Sequence, residues 1–591
     1  MKRSVIGCAC VLLALAAAAG AATTTQISQF GITWTFAQPV ECGQFANGDW
    51  WVVGPVDIVA IDPASFDAGG YVINGSMINP VPESQQQGFD SRVGVTYVPA
   101  LNVAYGVSPA SPLTVPPHAS LLSSISLGEP EGSVTIDTVA ILTVLPEAAP
   151  AGSFRPAYCT ADKTIRYNVS QLDYGLLRKL APAGSPPSLA TVERMFERPW
   201  IEYVADHPSR AIHPRQNMPD YGREISSNVS QAALSLHLDY TDAQKATLLV
   251  RFVQVGIDFY GIVQAGGDDV WVANGGHMHG RKWPILFAGL MLGDADMQHV
   301  QATFQEDQQT YYGAGWSGAK ALWRITPGTA YLQDEVHPSD WLVDGRGEPG
   351  DPPAGSNSHA RSEAYRHCCT SYTWVGQALA AYLMGAEGLW DHSPYFGYVQ
   401  RWMTQDWTAY DAIIQQETGR TYGNQLSANP GWTGDMWHAY RALGGPVPPT
   451  ADAGEDLSVR DNDDDGAEPV TLDGSGSVAL GSIVGYAWSE GGVPLGSGAA
   501  PTVPLAVGEH TIDLTVTDDN GATDSDSVTV IVEPAPAGGG AVIFDLSAAY
   551  NYDAVSTQSE ADHRNAGQNI CESYGDHQPW TSNRDFCATE L

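Results

Sequence analysis

The chain has 591 residues, 43% hydrophobic and only 16% charged, a balance that can bury a large core and excludes a disordered polyelectrolyte. Sixty-six Asp and Glu stand against 28 Lys and Arg, a formal charge of -38 at pH 7, and no long basic stripe is present to neutralise phosphates; nucleic acid and anionic membrane surfaces are therefore excluded as partners. At roughly 100 to 200 residues per domain, the length predicts three or four units.

Residues 1–22, MKRSVIGCACVLLALAAAAGAA, read as a secretory signal peptide: Lys2 and Arg3, a short apolar stretch, then small residues suited to cleavage. The stretch is too short to span a bilayer and no other run is long enough, so the expectation is a secreted, extracellular protein with no membrane span. Cleavage leaves Cys42, Cys159, Cys368, Cys369, Cys571 and Cys587, an even number that permits disulfides in an oxidising compartment. Cys571 with Cys587 is the most local pairing. The adjacent Cys368 and Cys369 either join each other or reach Cys42 or Cys159.

Residues 23–155 alternate Val, Ile and aromatic runs such as ITWTF, WWVVGPVDIVAI and SVTIDTVAILTVL with Gly, Pro, Asn and Ser, which predicts an antiparallel β-sandwich. Residues 156–445 change to helical periodicity. One set of segments, SQAALSLHL, PILFAGLML and YTWVGQALAAYLM, is almost free of charge, whereas TDAQKATLLVRF, ADMQHVQATFQEDQQ and YFGYVQRWMTQDW are amphipathic. Helices apolar all round are buried and amphipathic ones face water, so the alternation predicts inner and outer rings, an α/α toroid-like domain. Thr241 with Asp242 behind it marks one helix start, and Pro284 is a fitting first residue for another.

After the linker GGPVPPTADAG, residues 446–534 read as a small immunoglobulin-like β-sandwich. The runs VTLDGSGS, IVGYAWSEGG and HTIDLTVTDDNGATDSDSVTVIV resemble a PKD domain over 449–533, which implies a spacer or carbohydrate-associated module of exported proteins. Its RDNDDDG turn is an exposed acidic loop that could also hold a structural Ca²⁺ through carboxylates. Residues 541–591 read as a fragment of a further module.

Four polar clusters precede or open the apolar helices. HPRQNMPDYGRE brings Asn217, Tyr221 and Arg223; GGHMHGRKW brings His277, His279, Arg281 and Lys282; SHARSEAYRHCCTSYTW brings Arg361, Tyr365, Arg366, His367 and Trp374; NPGWTGDMWHAYR brings Asn429, Trp432, Trp437 and His438. If the apolar helices run in one direction, all four emerge at one rim and form one cleft. Aromatic planes (Trp271, Trp283, Trp374, Trp432, Trp437) suit sugar rings, and Arg and Lys suit carboxylates. Eliminative cleavage of a uronic acid polymer needs a base, an acid and a group to neutralise the enolate-like charge. His277 and Tyr365 are assigned as the proton-transfer pair, with Arg281, Arg223 and Asn217 near the substrate carboxylate and Tyr221, Lys282, Arg361, Arg366, His367, Trp374, Trp437 and His438 along the substrate.

Each residue also has a plainer role: His279 in a turn, Arg281 and Lys282 paired with acids, helical Trp residues in the core. His277 and His279 have no third ligand, so no metal or cofactor is assigned to them. The combination of helical body and β domain resembles the toroid-plus-sandwich polysaccharide lyases of the alginate lyase and heparinase kind in architecture, which implies an acidic polysaccharide as substrate. Two rivals stand beside this reading: a glycoside hydrolase drawing its two carboxylates from Asp220, Glu224, Glu363 and Asp435, and a non-catalytic surface or adhesion protein.

Overall fold

The computed structural model describes residues 22–93, 96–325, 335–341, 359–419, 430–479, 481–519 and 521–535. The signal peptide up to residue 21, Asn429, Cys571, Cys587 and the 541–591 fragment lie outside the described residues.

Why SVTIDTVAILTVL reads as a continuous apolar run is answered by its two covered faces. Strands β1 (Ala22–Gln29), β2 (Ile32–Gln44), β3 (Trp50–Val53), β4 (Val56–Asp62), β7 (Ser76–Ile78), β8 (Leu113–Val115), β9 (Ala119–Glu131) and β10 (Val134–Leu145) form one sheet in the order β7-β9-β10-β3-β2-β4-β8, with β1 paired to β2; β5 (Phe66–Ala68) and β6 (Tyr71–Ile73) make a separate hairpin. Successive side chains point to opposite faces. On β10, Ala140, Leu142 and Val144 enter the sheet's own core with Trp34, Phe36 and Leu121, whereas Val139 and Ile141 join Leu122 in the core of the helical body. The sandwich-like sheet thus shares one face with the helices. It is not wholly antiparallel as expected: β3 runs parallel to β10, with Trp51 opposite Thr143.

The helical body contains α1 (Leu189–Met195), α2 (Gly222–Leu236), α3 (Asp242–Gln264), α4 (Lys282–Leu292), the short α5 (Ala295–Gln298) and α6 (Gln305–Gln309), α7 (His359–Tyr365), α8 (Val375–Met384), α9 (Glu387–Trp390), α10 (Ser393–Thr404), α11 (Trp407–Thr418) and α12 (Trp432–Tyr440). As expected, α4 and α8 are buried along nearly their whole length, but α10, expected to face water, is buried at 9 of its 12 residues against 10 of 15 in α2. Thr241 caps α3 in a reciprocal box with Gln244, which satisfies two end donors at once. At 23 residues α3 is long and apolar enough to cross a membrane; here most of its length is buried, and its Asp258 pairs with Arg155.

Two expectations shift. Helix α4 starts at Lys282, so Pro284 sits third, still in the first turn where no backbone donor is lost. ADMQHVQATFQEDQQTYY, read as one amphipathic outer helix, breaks into α5, α6 and a strand at Thr310–Tyr312. The regular alternation from which a toroid is expected is therefore interrupted there.

Residues Ile483–Glu490 pair antiparallel with Val493–Ser497 and with Gly508–Asp518, and Trp488, Leu514, Val516 and Val528 are buried between the faces. Among the described residues, 458–468, 504–509 and 531–535 group as a separate unit.

Candidate active site around His277

The cations that the sequence gathers ahead of α4 and α8 are mostly consumed inside the protein. Arg281 is fully buried: it donates to Glu202 Oε2 at 2.8 Å and to the carbonyls of His279 at 2.6 Å and His277 at 3.1 Å. His213 adds a third charge-capable group, its Nε2 3.1 Å from the same Glu202 oxygen, and although burial opposes it, Arg281 and His213 hold the Glu202 carboxyl below its ordinary range. Lys282 donates to Asp307 at 2.6 Å and lies over the Phe304 and Trp390 rings. Arg366 pairs with Glu363 and, at 2.8 Å, with Glu335; His367 reaches Glu363 at 2.9 Å between Trp402 and Trp407. A guanidinium or ammonium held this way has no face left for a sugar carboxylate, so the substrate-binding role expected of Arg281, Lys282, Arg366 and His367 is replaced by a structural one.

The aromatic expectation is corrected likewise. Trp271, Trp283, Trp374 and Trp437 are core residues. Trp374 Nε1 donates to His279 Nδ1 at 3.0 Å while His279 Nε2 reaches the Gly276 carbonyl at 3.1 Å, so both nitrogens of that imidazole are used and burial drives it down to about 3. Asn217 braces a loop by donating to the Arg198 carbonyl at 2.8 Å. His438 is exposed on α12, and the Arg361 side chain lies outside the described residues.

A second group does converge. Tyr221 immediately precedes the first residue of α2 and Arg223 lies in its first turn; the Tyr221 ring meets the His277 ring edge-on with centroids 4.6 Å apart. Tyr365, at the end of α7, lies against the same loop, since a Cβ on Gly275 (φ +55°) would come 2.9 Å from its ring. A Cβ on Gly276 would strike the Tyr221 hydroxyl at 2.6 Å and Cys369 Cβ at 2.9 Å, so only glycine lets these three elements meet. Arg210 and Arg223 stand over the Tyr221 ring at 5.9 and 5.7 Å, and the His207 ring is 5.3 Å from that of His277. Cys368 and Cys369 join each other in the π-helical turn Arg366–Thr370 next to this loop, and Arg223 Nη1 donates to the Cys368 carbonyl at 3.4 Å. Cys42 and Cys159 are buried and have no disulfide partner among the described residues.

Electrostatics separates the roles. Burial, with Arg210 and His207 adding positive charge, lowers His277 to about 4, so its imidazole is neutral at physiological pH, and its Nδ1 is buried without a hydrogen-bond partner. Burial, with Tyr365 nearby, raises Tyr221 to about 12 and keeps its phenol protonated. A neutral imidazole against a protonated phenol under two guanidinium groups can accept one proton and supply another.

His207 and Arg210 are not singled out by the sequence reading. Helix α1 ends at Met195, and the DHPSRAIHPR that follows at 206–215, dense in His, Arg and Pro, is the signal that marks a polar loop there. The four carboxylates of the hydrolase rival do not pair: Asp220 binds Arg210, Glu224 binds Arg223, Glu363 is buried with Arg366, and Asp435 stands against Gly184. In the acidic turn, Asp461 spends its carboxylate on the Asp464 and Gly466 amides at 2.9 Å each, and its ligand atom lies within 4.8 Å of those of Asp463 and Asp465, both exposed.

Residues 453–532 match a family model of the PKD domain. Among solved structures, the chain is similar to the PKD domain of the KIAA 1837 protein (32% identity, 16% of this chain and 98% of that one, TM-score 0.13). It is also similar to the PKD1 domain of Vibrio anguillarum Epp (31%, 15% and 96%, TM-score 0.12) and to the PKD domain of human KIAA0319 (25%, 15% and 86%, TM-score 0.12). No curated protein matches the chain.

Proposed function

Residues 453–532 being a PKD domain, a module of carbohydrate-related and adhesive extracellular proteins, we propose that the chain is an exported enzyme cleaving a uronic-acid polysaccharide by β-elimination at the His277 cluster. The observation that carries this reading is the edge-on approach of a neutral, partly unpartnered imidazole to a protonated phenol at 4.6 Å. In the reaction, His277 takes the proton from the carbon beside the sugar carboxylate. The electron pair left behind forms the new C=C bond, the C–O bond to the leaving sugar breaks, and the departing oxygen takes the proton of Tyr221. Tyr365, lying against the same loop, orients that phenol or shares its task. Arg223 and Arg210 offset the charge that builds on the carboxylate in the transition state. The incomplete toroid of α2, α4 and α8 would hold these groups at one end of the helical body.

Elimination creates a conjugated double bond and hydrolysis does not, so ultraviolet absorbance on alginate, pectate, hyaluronan and heparan sulfate is the deciding measurement. New absorbance that falls by about 10² or more in both His277→Ala and Tyr221→Phe supports the assignment. New reducing ends without absorbance would favour a hydrolase. Binding without either product would favour the adhesion reading, for which the PKD domain speaks directly.

A further inference from the structure

Helix α2 does not end its usefulness at Arg223. Ser227 and Gln231 follow at four-residue steps and therefore share its face, and from Arg223 to Gln231 the helix rises about 12 Å. This face forms the floor of a hollow of about 350 Å³ whose walls include Pro186, Tyr372, Pro430 and Trp432. Arg223, one turn ahead of Ser227 on the same face, stands over the Tyr221 ring at 5.7 Å, which joins the hollow to the His277 cluster.

Among the described residues, the lining carries no charged side chain. Its polar groups are nevertheless numerous and half committed. Ser227 Oγ donates to the Arg223 carbonyl at 2.8 Å and Thr433 Oγ1 to the Pro430 carbonyl at 2.9 Å, so each hydroxyl has spent its proton and keeps lone pairs to offer. Trp432 is only 8% exposed and its Nε1–H has no acceptor, which is costly for a buried donor unless something else supplies one. All five tryptophans that the sequence suggests as sugar planes pack in the core, and Trp432 is the one of them that also lines this hollow. A carboxylate or sulfate placed here would lose its water and find no counter-charge, whereas a ring bearing hydroxyls would find donors, acceptors and flat apolar faces together.

We infer that the hollow is a subsite for an uncharged, hydroxyl-rich sugar unit, so that the polymer places a neutral sugar beside the uronate held at Arg223. The inference rests on the reading of the His277 cluster as the cleavage site, and it selects mixed polymers over homopolymers of uronate.

Calorimetric titration of the full chain with xylohexaose, mannohexaose, cellohexaose and galactohexaose tests it. At least one neutral hexaose is expected to bind, with Kd raised fivefold or more in Gln231→Ala and in Trp432→Phe, which keeps an aromatic plane but removes the donor. No binding by any of the four, or binding indifferent to both substitutions, overturns the subsite. Melting temperature and near-ultraviolet circular dichroism establish that each variant is folded, and the half-exposed Gln231 carries the test if Trp432→Phe is not. Neutral binding lost in both variants, with no ultraviolet product from any polymer, leaves the subsite standing and removes the lyase. Ultraviolet product formed with KM unchanged in both variants does the reverse.

Discussion

Arg281 and Arg223 both stand at the start of a buried helix, yet they do opposite things. Arg281 precedes the first residue of α4, where the positive end of the helix dipole disfavours a cation, and it is stabilised there by Glu202 and two carbonyls with no exposure left. Arg223 sits in the first turn of α2, half-buried, with its own neighbour Glu224 as carboxylate partner and one face over Tyr221. A cation sealed behind a carboxylate can only hold the fold. One left half-open at a positive helix end adds to a field that attracts anions. The difference teaches that the knot of His and Arg before α4 is chiefly a strut, and that the chemistry available to a substrate lies on the α2 side of the same loop.

The strut gives the largest expected effect. Arg281→Ala leaves Glu202 buried without its main partner, and stability should fall by about 3 to 5 kcal/mol in denaturant titration. Arg223→Ala removes a pair that is about two-fifths exposed and should cost under about 1 kcal/mol. Equal losses in the two variants would erase the distinction drawn between them. Next in size, His277→Ala should lower turnover by about 10², some 2.7 kcal/mol of barrier, with the melting temperature nearly unchanged. A variant that loses stability instead would return His277 to the structural group.

Much of the architecture is legible in the sequence, because its cues are local. The capped start of α3 at Thr241, the apolar runs within α2, α4 and α8, and the PKD runs each follow from side-chain periodicity within one segment. What depends on partners distant in the chain is not legible. Glu202 lies 79 residues from Arg281 and gives no sign in its own sequence context that it will consume that guanidinium. Glu335 and Arg366 likewise pair from different segments of the chain. The sequence places Tyr221 with the substrate contacts rather than in proton transfer, since its 4.6 Å approach to His277 depends on Gly276 having no side chain, a fact of packing and not of spacing. The parallel β3–β10 pair escapes sequence reading for a related reason: strand direction is set by the connections, and a strand buried on both faces shows the same apolar run either way.

Protonation sharpens the comparison at an intermediate scale. His237 and His279 are buried and lowered to about 3, chiefly by loss of solvation, against about 6.5 in an unfolded chain. Between those values the unfolded state binds more protons, so their stabilising contribution is complete above about pH 6.5 and is lost progressively as pH falls toward 3. Each should remove about 1 kcal/mol between pH 6.5 and 5.5, visible as a falling melting temperature. His277, lowered to about 4, sets instead the acid limb of kcat/KM, which should stay flat from about pH 5.5 upward as far as the Tyr221 phenol remains protonated. An activity midpoint near 6.5 would mean that the catalytic base is an ordinary solvated histidine and not this one.

The vicinal disulfide links the two regions and should give the smallest effect. Arg366, at the start of its π-turn, belongs to the buried ion-pair network, while the Cys368 carbonyl accepts from Arg223 and Cys369 packs on Gly276 beside His277. Opening the Cys368–Cys369 bond with a reductant leaves every one of these residues in place but loosens the turn between them. Because the ion pairs anchor one side, the melting temperature should hardly move. The Arg223 side has only a 3.4 Å contact to lose, so KM should rise three- to fivefold, about 0.7 to 1 kcal/mol, with kcat unchanged. The double variant Cys368→Ala, Cys369→Ala should show the raised KM at the outset and no response to reductant. A fall in melting temperature without a change in KM would assign the disulfide to the strut alone and detach it from the cluster around His277.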